Sequence, residues 1–258
     1  MNPSFARPFN LAGYIGYNQS TWIPRVQILG RRGLTMPGRI EDRFGMTLST
    51  SSVAAAERWQ EGVDRLLSQN HGPELKFQEA IDLDEGFALA HGCLAYWYQQ
   101  RARPDEARQT VETALALSPG VTRRERQQIK AVAHWIHGRG RDSIGLIKEH
   151  LNEFPRDGLL MRLAHRLYML GCSGAGSPDF PPEYLGLLQK VAPHCMDDWA
   201  FLAEYAFAHH ETGYLEEARQ FAQASLDINP TNAVACHSMT HVHFERGDSV
   251  SGEDFLGA

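Results

Sequence analysis

The chain has 258 residues, with 43% hydrophobic and 22% charged side chains, an ordinary composition for a globular protein. No run approaches eighteen uninterrupted apolar residues, which excludes a transmembrane helix of the usual kind. The net charge of −6 argues against general nucleic-acid binding, which calls for a basic stripe.

The charge is uneven along the chain. Residues 1–40 carry Arg7, Arg25, Arg31, Arg32 and Arg39 and no acid, which leaves −11 on the remainder. This stretch reads as an N-terminal extension, poorly ordered or the product of a start assigned too early, with Met36 as an alternative start. A transit peptide is the competing reading. Cys93, Cys172, Cys195 and Cys236 show neither CxxC nor framework spacing, which fits free thiols in a reducing cytoplasm.

From residue 41 onward the dominant signal is a period. Helix-closing prolines fall at Pro119, Pro155, Pro193 and Pro230, separated by 36, 38 and 37 residues. A helix ends at or before the residue preceding proline, so each marks a physical stop. Asp82-Leu83-Asp84-Glu85 occupies the corresponding place one unit earlier, without the proline.

Each period contains two helical patterns. Residues 87–100 are apolar around most of the circumference, as an inner helix requires, whereas 105–117 are amphipathic, with Ala107, Val111, Ala114 and Leu115 on one stripe. Residues 197–211 and 215–227 repeat the design, opening on Asp197 and Asp198, which suit the positive end of a helix dipole. Small residues recur where paired helices must approach: Ala95 with Ala107, and Ala206 with Ala218.

Five helix-pair units are expected, over roughly 51–84, 85–119, 120–155, 156–193 and 194–230, followed by the first helix of a sixth at 231–246. The expected fold is all-α, a right-handed superhelix of antiparallel helix pairs. The chain reaches Ala258 just as another second helix should begin. That leaves an apolar end, which predicts a truncated array, a homodimer or a second chain covering it.

Ala95, Tyr98, Ala107, Ala114 and Pro119 stand where tetratricopeptide repeats place small, aromatic, small, small and proline residues, although His91 takes a place usually held by Trp. Residues Val121–Glu125, Ala206–Gly213, Asn229–Ala233 and His237–Glu245 resemble, more narrowly, the tetratricopeptide-repeat protein 38 family, over about residues 41–258. That resemblance implies a repeat protein, and members of the family are generally longer. It implies no particular reaction.

Candidate chemistry lies mainly in the twelve histidines. His237, His241 and Glu245 share one helix face at i, i+4 and i+8, a spacing that can hold zinc or another divalent metal, or place a proton-transfer group. His210 is the fourth candidate for catalysis. His91, His134, His165, His209, His210, His237 and His241 are candidates for a ligand-binding groove, whether or not any metal binds there. Arg123 and Arg124 form a candidate anion clamp, although Thr122 with Glu125 also reads as a capping box. Tyr96-Trp97-Tyr98 reads as core.

The glycine-rich stretch Gly171–Ser177 has neither a preceding strand nor a nearby lysine. It reads as a connection between helices, with Cys172 as the one thiol to test for reactivity.

The sequence thus points to a cytoplasmic binding or scaffold protein that receives a peptide, a partner protein or a small ligand. No cofactor and no nucleic-acid or membrane partner is expected. The alternative is a small-molecule enzyme or metal-dependent binder using the His/Glu cluster.

Overall fold

The computed structural model describes residues 40–169 and 180–257. The expected N-terminal extension and the glycine-rich stretch with Cys172 lie outside the described residues, Ile40 excepted.

Among the described residues there are twelve α-helices in six consecutive pairs. The first three pairs are α1 (Val53–Leu67) with α2 (Pro73–Leu83), α3 (Ala88–Gln100) with α4 (Pro104–Leu117), and α5 (Arg123–Ile136) with α6 (Gly140–Glu153). Then follow α7 (Gly158–Met169) with α8 (Phe180–Val191), α9 (Trp199–Glu211) with α10 (Leu215–Ile228), and α11 (Ala233–Glu245) with α12 (Ser249–Gly257). The first five pairs fall on the five units read from the proline spacing. None of the described helices is long and apolar enough to cross a membrane.

Local chemistry sets the helix boundaries. Ser52, Asp198 and Asn232 cap α1, α9 and α11 by accepting hydrogen bonds from first-turn amides. Thr122 and Glu125 form the capping box at the start of α5. Pro73 and Pro104 occupy the first turns of α2 and α4, where the missing N–H costs nothing.

Packing within pairs depends on small residues. Ala95, Ala107, Ala206 and Ala218 are fully buried, as their recurrence implies. Gly62 has the closest approach: a Cβ there would come within 2.5 Å of the Phe77 ring, so only glycine lets α1 sit this near α2. Trp59 lies in the same core, tilted against Phe87 and with its indole N–H 3.2 Å from the Cys93 sulfur. Burial pushes the Cys93 thiol up to about 12.

Two features depart from the sequence reading. The first is α12, a nine-residue helix where the periodicity leaves only the start of one. It packs on α11, with Phe255 beside the His243 ring. The second departure has larger consequences. The inner helices α3, α5, α7, α9 and α11 lie side by side, yet their shared face is not open along its whole length. Helix α1 and residues 40–50 lie across it.

Helix α1 packs on α7 as well as on its neighbours. Leu67 and Phe44 both reach Gly158 at the start of α7, and Leu67, Met161, Ala200 and Phe201 meet around Glu204. The Ser68 carbonyl accepts from the Ala233 amide at 3.1 Å, so the end of α1 touches the start of α11.

Residues 40–50 are tied down by charge. Asp42 Oδ1 accepts from the amides of Phe44 and Met46 at 2.9 Å, shaping a turn. Arg43 stacks on Phe44 and Trp199 and pairs with Asp64 at 2.8 Å and Asp198 at 2.5 Å. The Ser49 hydroxyl and amide both bind Glu125.

Candidate functional site

The imidazoles divide into buried and accessible sets. His165, on α7, is buried. It stacks on Phe207 with ring centroids 4.1 Å apart, and its Nδ1 lies 2.5 Å from Glu204 Oε2. Arg162 and Tyr184 donate to the same carboxylate, each at 2.7 Å. His209, on α9, is buried among Tyr205, Tyr214 and Phe221, with Nδ1 2.7 Å from the Tyr205 carbonyl. Burial lowers the pKa of both rings. Neither faces a groove, which corrects that part of the expected ligand set: the Nδ1 of each ring is engaged by the protein's own interior.

Arg124 requires the same correction. It is 4% exposed and holds Asp42 at 2.9 Å and Asp157 at 3.0 Å, so it clamps the chain's own acids rather than an external anion. Arg123, its exposed neighbour, pairs with Glu153 at 2.9 Å. His134 is half-buried on α5, and burial lowers its pKa. His91 is half-buried on α3, with Nε2 3.0 Å from the Glu85 carbonyl. Neither joins the other histidines.

Among the described residues, the candidate histidines converge where α9 meets α11. One ligand atom each from His210, His241 and Glu245 falls within 4.8 Å of the other two. The His237 ring stands 4.4 Å from that of His241 and 6.5 Å from that of His210, centroid to centroid. Of the four candidates His237, His241, Glu245 and His210, the stacking of α9 on α11 brings His210, His241 and Glu245 together, and His237 stands at their edge. Helical spacing within α11 could not show this, because the contact depends on how two units stack.

His210 is the fixed member. It is buried, its Nε2 lies 3.0 Å from Glu211 Oε1, and its Nδ1 has no hydrogen-bond partner. Burial and the neighbouring His241 push its pKa down to about 4, so the ring is neutral at pH 7. Burial and His241 also lower His237. His241 and Glu245 are partly exposed, 4.0 Å apart at their nearest atoms.

Phe244 completes this surface and was not picked out from sequence, where an apolar residue on an inner helix reads as core. It is 81% exposed and lies seven residues after His237, on the stripe that carries His237 and His241. The opposite stripe of α11, with Val234, Ala235, Ser238, Met239 and Val242, is buried. Cys236 is half-buried.

No family model matches the chain. Its fold is similar to several solved helix-repeat proteins. One is the APC/C hetero-tetramer Cut9-Hcn1, with 14% identity over 79% of this chain and a TM-score of 0.46. This chain spans 39% of that one's length. Another is pilF from Pseudomonas aeruginosa, with 16% identity over 78% of this chain and 88% of that chain, and a TM-score of 0.43. A third is YrrB, a TPR protein with an unusual peptide-binding site, with 14% identity over 71% of this chain and 91% of that chain, and a TM-score of 0.36.

Proposed function

We propose that this chain is an interaction module that takes a peptide or a segment of a partner protein on the outward stripe of α11, with Phe244 as the apolar anchor and His237 and His241 beside it. The observation that carries this reading is the contrast along the inner face. Helix α1 and residues 40–50 cover the part beside α7 and α9, while α11 presents a large exposed aromatic next to two imidazoles. Exposed aromatics that find a pocket on a partner dominate binding energy at interfaces. The imidazoles offer hydrogen-bond donors and acceptors that orient the bound segment.

The test is selection of peptides from a random display library against the full chain, followed by affinity measurement. Phe244→Ala is expected to weaken selected peptides at least tenfold while leaving Tm unchanged, because the ring contributes little to the core. Peptides that bind Phe244→Ala and His237→Ala as tightly as wild type would place the binding surface elsewhere. Self-association through the same stripe would show instead as a dimer in sedimentation that Phe244→Ala dissolves.

A further inference from the structure

We propose that His210, His241 and Glu245 bind one divalent first-row transition-metal ion of the Zn2+ class, with His237 close enough to complete the set. The inference goes beyond peptide recognition and does not depend on it.

The donor set is two imidazole nitrogens and one carboxylate oxygen, a combination that suits zinc and its neighbours rather than calcium or magnesium, which prefer all-oxygen shells. The donors come from two units, so their meeting is a product of stacking and not of helical spacing alone. Within α11, His241 and Glu245 stand one turn apart on one face, and α9 delivers His210 from the side.

His210 is the buried anchor of the set. Its Nδ1 makes no hydrogen bond of good geometry, and the Phe207 carbonyl is the backbone group beside the ring. Glu211 contacts the same ring at 3.0 Å, the kind of carboxylate support that orients metal-binding imidazoles.

The geometry closes with modest movement. A tetrahedral ion with bonds of about 2.0–2.1 Å holds its donors roughly 3.4 Å apart. The present span of 4.8 Å must therefore contract by roughly 1.4 Å. His241 and Glu245 are exposed enough to turn toward the fixed His210. His237, with its ring centroid 4.4 Å from that of His241 and 6.5 Å from that of His210, offers a fourth nitrogen if its side chain turns inward. If His237 stays outside, the fourth position is open to water, as in sites that activate a bound water.

The experiment uses the full chain, purified without a histidine tag and stripped of metal, and titrates it with Zn2+ alone, without any peptide. One equivalent is expected to bind, with a rise in Tm. His241→Ala and Glu245→Gln should each weaken binding at least tenfold. His243→Ala, whose ring packs against Phe255 of α12 instead, should not. Co2+ in place of Zn2+ should give the visible absorption of a four-coordinate nitrogen–oxygen site, lost in His241→Ala. No stoichiometric Zn2+ binding, or binding unchanged in both His241→Ala and Glu245→Gln, would overturn the assignment. Because Phe244 is no part of the donor set, Phe244→Ala should bind Zn2+ normally, so this result and the peptide result fail separately.

Discussion

Glu204→Ala is expected to destabilise the protein by about 3–5 kcal/mol, because it strands a buried guanidinium. Glu204 sits in the middle of α9, almost fully buried, and accepts from Arg162, His165 and Tyr184. Burial alone would raise its pKa. Arg162 and His165 outweigh burial and hold the carboxyl well below the usual range. The sign follows directly: a carboxylate whose folded pKa is depressed contributes stability above its unfolded value, near 4.5, and loses it as pH falls through the folded one.

Removing the carboxylate leaves Arg162 with no counter-charge in the interior, and this desolvation penalty dominates. For a domain of this size the corresponding fall in Tm is roughly 10 °C, measurable by circular dichroism at pH 7. The double variant Arg162→Met/Glu204→Leu should recover much of the loss, since an apolar replacement of a buried pair removes both charges. A Glu204→Ala melting curve that overlays wild type would show that the pair is solvated in solution.

Arg124→Ala is the second large effect, again about 3–5 kcal/mol, with a local signature that distinguishes it from the first. The guanidinium lies between Asp42 and Asp157. Gln128 and His150 also bind Asp157, at 3.0 and 3.1 Å. Burial raises the pKa of Asp42. Asp157 is just as buried, but Arg124 and His150 pull its carboxyl well below the usual range.

Without Arg124, two buried acids face one another and the turn at residues 42–46 loses its anchor. Amide exchange at Phe44 and Met46 should therefore quicken by more than the global loss of stability accounts for. Arg124→Lys should rescue little, since one ammonium cannot serve two carboxylates with the geometry of a planar fork. Equal exchange at these amides in wild type and Arg124→Ala would detach the turn from the network.

Much of the architecture was legible in the sequence because it rests on local chemistry. Proline stops, capping residues and the alternation of all-round apolar with amphipathic helices act over a few residues each. The boundaries of α3, α4, α9 and α10 therefore fall within two residues of the pattern.

The filled inner face was not legible. It depends on contacts such as Arg43 with Asp198, 155 positions apart, and on how far the stack curls before α1 meets α7 and α11. A hint existed. Arg162 and Glu204 sit within mainly apolar stretches of two helices, and charges so placed must find each other or pay a large desolvation cost. The same reasoning would have moved His165 from the groove to the core.

The candidate site was half legible. Spacing on α11 gave His237, His241 and Glu245, and the repeat placed His210 near the same edge one unit earlier, but only the packing of α9 on α11 shows that His210 meets His241 and Glu245 and that Phe244 stays outside.

Residues 40–50 and α1 lie across the inner face, which leaves α11 as the open surface. A double-mutant cycle on Arg43→Ala and Asp198→Asn tests this most directly, because the asparagine keeps the cap on α9 and removes only the charge. In urea titrations of the full chain, the predicted coupling is about 1 kcal/mol, within the range for residues in direct contact. Effects that add to within about 0.3 kcal/mol would mean that residues 40–50 do not bind the start of α9, and that the inner face is open along its length.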